Sequence, residues 1–195
     1  MNFSNEDGIR AVRIARSVAE AETQGNLTDP EFSDVFKELS GVFVTISEYP
    51  SGNLRGCIGY SEPVVPLAES LVKSSRAACH DPRFMPLTLE EAKACTFEVT
   101  KLTTPAELKF NNVDEMLNQI VLGRDGVIME YRGNKAVYLP QVATEQGWTK
   151  QEMMFSLSEK AGLHRGAWTY KGTRIWTFHG EIFKEVSPCG DVVRE

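Results

Sequence analysis

Apolar residues recur along the chain in two periods, one of three to four positions and one of two, and each change of period marks an element. Ile9, Val12, Ala15, Val18 and Ala19 fall on one helical stripe behind Ser4 and Asp7, which are spaced as a capping box. Residues 5 to 23 are therefore expected as an amphipathic helix, ended by Gly25-Asn26. Phe32, Val35, Phe36 and Leu39 fit one face of a shorter second helix opened by Thr28-Asp29-Pro30. From Gly41 to Tyr49 the period drops to two, with Val42, Val44 and Ile46 alternating with Phe43, Thr45 and Ser47. Pro50-Ser51-Gly52-Asn53 then turns the chain into Leu54 to Tyr60, which makes a β-hairpin.

Helical spacing returns at Leu67, Ala68, Leu71, Val72 and Ala78, so a helix is expected over about 64 to 79, with proline near its first turn and His80-Asp81-Pro82 as its stop. Thr88 with Glu91 marks a short capped helix, followed by a strand in which Cys95, Phe97 and Val99 alternate with Thr96, Glu98 and Thr100. Asn112 with Glu115 opens a helix carrying Val113, Met116, Leu117 and Ile120. Gly126 to Tyr131 and Lys135 to Leu139 read as a second hairpin around Arg132-Gly133-Asn134. Thr149 with Glu152 opens a helix holding Met153, Met154, Leu157 and Ala161, closed by Gly162. The last strands are Ala167 to Tyr170 and Thr173 to Phe183, joined at Lys171-Gly172, and the tail Ser187-Pro188-Cys189-Gly190-Asp191 is polar and expected to fray. Helices and hairpins are mixed without a regular strand-helix-strand beat, which predicts an α+β fold with mainly antiparallel sheet flanked by helices.

With 195 residues, 42% of them hydrophobic and 25% charged, the chain is long enough to bury roughly 70% of its unfolded surface without disulfides or metals. Lys and Arg number 21 against 27 Asp and Glu, a net charge of −6, and no basic cluster stands out, which argues against nucleic acid or an anionic membrane surface as partner. The start, Met1-Asn2-Phe3-Ser4-Asn5-Glu6-Asp7, lacks a basic and an apolar signal region, and no run of about 18 apolar residues occurs, so a cytoplasmic protein is expected. Cys57, Cys79, Cys95 and Cys189 lie far apart with no paired spacing, which favours free thiols and gives no metal site and no cofactor.

The densest unusual sequence is Leu54-Arg55-Gly56-Cys57-Ile58-Gly59. On a regular strand Arg55, Cys57 and Gly59 share a face, which would set a cation beside a thiol and lower its pKa. Glycines at 56 and 59 suit a ligand or another segment coming close to the backbone, and equally suit a bulge or tight helix packing around a small buried cysteine. His80-Asp81-Pro82-Arg83-Phe84 offers a titratable group, a carboxylate and a guanidinium on a rigid loop; Asp81 and Arg83 also fit a purely local turn network. A Cys57 nucleophile needs a base, and His80 is the nearest histidine in sequence. Gln141 and Glu145, spaced i and i+4 beyond Leu139-Pro140, share a helical face on which a polar ligand or plain solvent would sit. Glycine-rich phosphate loops are absent.

These motifs together resemble the AMMECR domain family. Gly41-Val42-Phe43-Val44-Thr45 leads into Leu54-Arg55-Gly56-Cys57-Ile58-Gly59. Asp81-Pro82-Arg83-Phe84, Pro86-Leu87-Thr88, Gly126-Val127, Leu139-Pro140-Gln141-Val142-Ala143, Gly147-Trp148 and Lys160-Ala161-Gly162-Leu163 follow, over about residues 5 to 186. The resemblance implies a single domain of two packed subdomains, a larger one with an antiparallel sheet flanked by helices and a smaller one with its own short sheet, meeting at a groove. It names no reaction. It implies a place for Arg55 and Cys57 in that groove, and a partner system of Memo-like and radical-SAM proteins. Two functions are thus open. One is a ligand- or partner-binding module using Gly56, Gly59, Asp81, Arg83, Gln141 and Glu145 around the signature. The other is a cysteine enzyme in which Cys57 acts as thiolate with Arg55 and His80.

Overall fold

The computed structural model describes residues 3 to 28 and 30 to 195; Met1 and Asn2 of the start read above, and Asp29 of the expected Thr28-Asp29-Pro30 helix opening, lie outside the described residues. In chain order the elements are α1 (Asn5–Glu22), β1 (Val42–Glu48), β2 (Leu54–Tyr60), α2 (Leu67–Ala78), α3 (Leu89–Ala94), β3 (Cys95–Leu102), β4 (Ala106–Glu107), α4 (Val113–Gln119), β5 (Gly126–Tyr131), β6 (Asn134–Tyr138), α5 (Pro140–Glu145), α6 (Lys150–Lys160), β7 (Arg174–Phe178), β8 (Gly180–Glu185) and β9 (Val192–Arg194). They form two sheets, ordered β2-β1-β3-β8-β9 and β4-β7-β5-β6. The fold is α+β, with antiparallel pairing in both sheets.

Two compact units result: Met1–Leu102 with Glu181–Glu195, and Thr103–Gly180. In the first, the alternation of β1 drives Val42, Val44 and Ile46 to zero exposure, and Phe97, Val99 and Phe183 join them under Ala11, Val12, Ala15, Val18 and Ala19 of α1 and Leu67 and Leu71 of α2. Ser4 and Thr88 close both of the predicted capping boxes. The stripe on α1 is broader than the apolar pattern shows. Ile9 is 41% exposed, while Arg16 is buried and forms a bidentate pair with Glu185 of β8.

In the second unit Met116, Met129, Met153, Met154, Leu157, Trp168 and Ile175 make the core. Asn112 and Thr149 cap α4 and α6 as read. The β5–β6 hairpin turns through Arg132 and Gly133, both at positive φ (50° and 84°), the backbone of a two-residue turn whose twist matches the flanking strands.

Four expectations are corrected. Phe32 to Leu39 forms only a 3₁₀ turn at Asp34–Lys37, with Val35 and Phe36 buried and Leu39 57% exposed and bridged to Pro66. Ala167–Thr169 is also a 3₁₀ turn, held by local bonds such as Thr169 N–H to the Gly166 carbonyl. The expected strand Thr173 to Phe183 breaks at His179 into β7 and β8, which belong to different sheets. The tail is ordered: Ser187-Pro188-Cys189-Gly190 turns the chain so that Val192 pairs with Glu185, and Arg13 Nη2 donates to the Gly190 carbonyl at 2.6 Å.

Candidate functional site

The signature strand lies at the edge of the five-stranded sheet, with β1 as its one ladder partner among the described residues. Ile46 stands opposite Gly56, but Ser47 stands opposite Leu54, so Arg55 is an extra residue, a β-bulge. A bulge shifts the alternation, and this corrects the expected Arg55–Cys57 face. The Arg55 side chain is buried and spent elsewhere. Nε and Nη2 reach the Glu91 carboxylate at 3.1 Å each, and Nη2 donates to the Met85 carbonyl at 2.9 Å. Glu91 is also the third residue of the α3 capping box, accepting from the N–H and hydroxyl of the N-cap Thr88. Arg55's hydrogen bonds, followed by those of Thr88, hold the Glu91 carboxyl down at about 2.

Cys57 is answered by the loop after α2. Its N–H donates to Asp81 Oδ2 at 2.9 Å, and its carbonyl accepts from Arg83 Nη2 at 3.3 Å. Asp81 and Arg83 are themselves joined, with Nε to Oδ1 at 3.0 Å and Nη2 to Oδ2 at 2.6 Å. The pair thus supplies one acceptor and one donor to the outward backbone of an edge strand, as a neighbouring strand would. Asp81 is buried, and its carboxyl is held far below the ordinary range, first by the Arg83 hydrogen bond. Phe84 lies 5.7 Å from the guanidinium carbons of both Arg55 and Arg83.

The Cys57 thiol is half-buried and accepts a hydrogen bond from Thr45 Oγ1 at 3.3 Å. Burial pushes its pKa up; Thr45 and the Arg83 charge pull it down, and the charges of Glu98 and Asp81 push it further up. The net direction is upward, which corrects the expectation of a thiol activated by Arg55. His80 is directed elsewhere: its Nε2 lies 3.0 Å from Glu22 Oε1 on α1, with its side chain 55% exposed.

The glycines are occupied by the chain's own atoms. A Cβ at Gly56 would stand 2.4 Å from the Ala78 carbonyl oxygen, and one at Gly59 would stand 2.3 Å from the Val42 carbonyl oxygen and 2.5 Å from the Phe43 ring. Gln141 and Glu145 are exposed on α5 in the second unit. All four cysteines are free, and among the described residues no group of three or more His, Cys, Asp or Glu is placed to hold a metal ion. No helix of the described residues is long and apolar enough to cross a membrane.

Two residues the sequence reading passed over stand beside Cys57. Thr45 on β1 is opposite Cys57 on one side and Glu98 of β3 on the other. Burial, followed by the Glu195 charge, pushes the Glu98 carboxyl up, against a hydrogen bond from Thr100 and the charge of Lys184. Both residues were visible as the polar phase of alternating strands. What joined them to Cys57 was strand order, which no local pattern carries.

Comparison with known proteins places this arrangement in a family. Protein MJ0810 of Methanocaldococcus jannaschii is 43% identical over 192 residues, covering 97% of this chain and 96% of its own. Protein Ta0236 of Thermoplasma acidophilum is 43% identical over 194 residues, covering 98% and 94%. The crystal structure of protein PH0010 from Pyrococcus horikoshii superposes with a TM-score of 0.78 at 36% identity, over 99% of this chain and 98% of that one. The AMMECR1 family model matches residues 12–183, and with these relatives along nearly its whole length the chain belongs to the AMMECR1 family.

Proposed function

We propose that the protein is a binding module whose recognition surface is the part of the five-stranded sheet around Cys57 together with the Asp81 to Pro86 loop. The observation that carries this is the state of Cys57: a thiol with its pKa raised and its backbone held by Asp81 and Arg83, with His80 turned to Glu22. A covalent mechanism needs a thiolate, a base within reach and a donor for the developing oxyanion. Cys57 has instead a hydroxyl donor and two nearby carboxylates that oppose its ionisation. The loop presents Arg83, with its side chain 55% exposed, and Met85, 80% exposed, a cation and an apolar group suited to contact with a partner surface.

The partners this reading takes are a small ligand or a protein, with the Memo-like and radical-SAM proteins implied by the family resemblance as the first to try. The deciding measurement is the rate of iodoacetamide labelling of Cys57 against pH, with sites read by mass spectrometry. An apparent pKa above the ~8.5 of a free thiol supports the binding reading. Fast labelling with a lower pKa, lost in Arg83→Ala, would replace it with the cysteine enzyme. Capture of a purified Memo-like or radical-SAM protein, weakened by Met85→Asp, tests the loop; capture unchanged by that variant removes the loop from the surface.

A further inference from the structure

The face of β1, β2 and β3 directed away from α1 and α2 is neither solvent nor core. Phe43, Thr45, Cys57, Thr96, Glu98 and Thr100 are all half-buried, while Val42, Val44, Ile46, Phe97 and Val99 on the other face have zero exposure. The register sets Cys57, Thr45 and Glu98 in one row, and Gly59, Phe43 and Thr100 in the next. Side chains opposed in this way stand with their Cβ atoms about 4.5 to 5.5 Å apart, close enough for one small molecule to touch a whole row. The space beside Gly59 is taken by the Phe43 ring, which gives the row an aromatic wall.

The charges around this row do not cancel at Glu98. Arg83 is committed to Asp81. Lys184 and Glu195 act on Glu98 with opposite signs, and among the described residues no lysine or arginine forms an ion pair with it. Glu98 holds one hydrogen bond, from Thr100 Oγ1 at 3.3 Å. This face of the sheet therefore carries one unmatched carboxyl group, hydroxyl oxygens from Thr45 and Thr100, the Cys57 thiol and an aromatic ring. Carboxylate and hydroxyl acceptors beside an aromatic face are the chemistry of ammonium recognition. A metal ion fits less well, since among the described residues no third carboxylate, thiol or imidazole joins Glu98 and Cys57.

We propose that the Cys57–Thr45–Glu98 row is a seat for a small organic ammonium ion, its N–H groups given to Glu98 and the threonine hydroxyls and its apolar stem laid along Phe43. This rests on the reading of the same face as a binding surface, and names the ligand class. Binding supplies the missing counter-charge and so favours the ionised form of Glu98. Affinity therefore rises with pH through the Glu98 titration, in the field of Asp81, Arg83, Lys184 and Glu195.

The test uses the full chain, n-butylammonium chloride as probe, sodium butyrate as the anionic control, and the labelling rate of Cys57, with exposed Cys189 as internal reference. For a ligand of so few atoms a Kd of about 1 mM is reasonable, so about 10 mM should slow Cys57 labelling roughly tenfold. Cys189 and the butyrate control should be unchanged. Glu98→Gln, checked for an unaltered circular dichroism spectrum, should remove the protection, and Glu98→Asp should keep part of it. Equal protection in Glu98→Gln, or none at about 100 mM ammonium, overturns the ammonium seat. In that case slower Cys57 labelling on addition of a Memo-like protein would keep the binding surface with a different occupant; protection by neither would overturn both.

Discussion

Glu185 on β8 has a side chain with 0% exposure, enclosed by donors from three directions. Arg16 reaches it through Nε at 2.8 Å and Nη2 at 2.5 Å, Arg13 through Nη1 at 3.1 Å, and the Phe97 N–H lies at 3.0 Å from Oε2. Arg16 also donates to the Ala92 and Cys95 carbonyls, pairs with Glu20 at 3.1 Å, and lies 4.5 Å from the Phe97 ring centroid. Glu185→Ala leaves a guanidinium with 7% side-chain exposure without its main counter-charge. Breaking one side of a buried pair costs about 3 to 5 kcal/mol, and the orphaned Phe97 N–H adds to it, so a loss of about 4 kcal/mol is expected. For a chain of this size each kcal/mol lowers Tm by about 2 to 4 °C, which predicts a drop of about 8 to 16 °C. Urea unfolding followed by circular dichroism gives the free energy. The double variant Arg16→Met, Glu185→Leu should recover at least part of it, ending about 1 to 3 kcal/mol below wild type for the backbone groups left unpaired. A cost below about 1 kcal/mol for Glu185→Ala, or a double variant as damaged as the sum of the singles, would refute the reasoning.

Gly56→Ala should cost about 2 kcal/mol or more, because its Cβ meets the Ala78 carbonyl at 2.4 Å and neither backbone can give way; the urea midpoint reads it. Glu91, held at about 2 against an ordinary 4.5, contributes stability that is present above about 4.5 and lost as pH falls toward 2. Glu91→Gln should flatten that acid limb in a series of urea midpoints against pH, and an unchanged slope would show that the Arg55 pair does not act this way. Iodoacetamide should label Cys189 first in the native protein, Cys57 slowly, and Cys79, which is 1% exposed with its pKa pushed up to about 12, only after unfolding. Mass spectrometry of a time course checks the order.

Legibility followed the range of the interaction. The capping boxes at Ser4, Thr88 and Thr149 were readable because donor and acceptor are three residues apart. The hairpins were readable from alternation and turn residues. The bulge at Arg55 was not, because it exists only in the pairing of β2 with β1, and with it went the expected Arg55–Cys57 pair. Phe32 to Leu39 shows why spacing misleads in short segments: four apolar residues at helical intervals were satisfied by burying Val35 and Phe36 in a single turn. The site was legible in its parts, since Cys57, Asp81 and Arg83 were singled out and do meet. The acidic group of the row, Glu98, was a polar position like its neighbours until β3 was set beside β1.

The second unit interrupts the first in sequence: β3 ends at Leu102, and its sheet neighbour β8 begins only at Gly180. Timing follows from this. At about 5 to 20 residues per second, a ribosome needs about 4 to 17 seconds to make the residues between Leu102 and Glu185. Through that interval α1, β1, β2 and β3 exist with one sheet edge open and with Arg16 lacking the carboxylate that completes its pair. The first unit therefore stays without β8, and Arg16 without that carboxylate, until Glu185 has been made; β9 then follows as the last strand of the sheet.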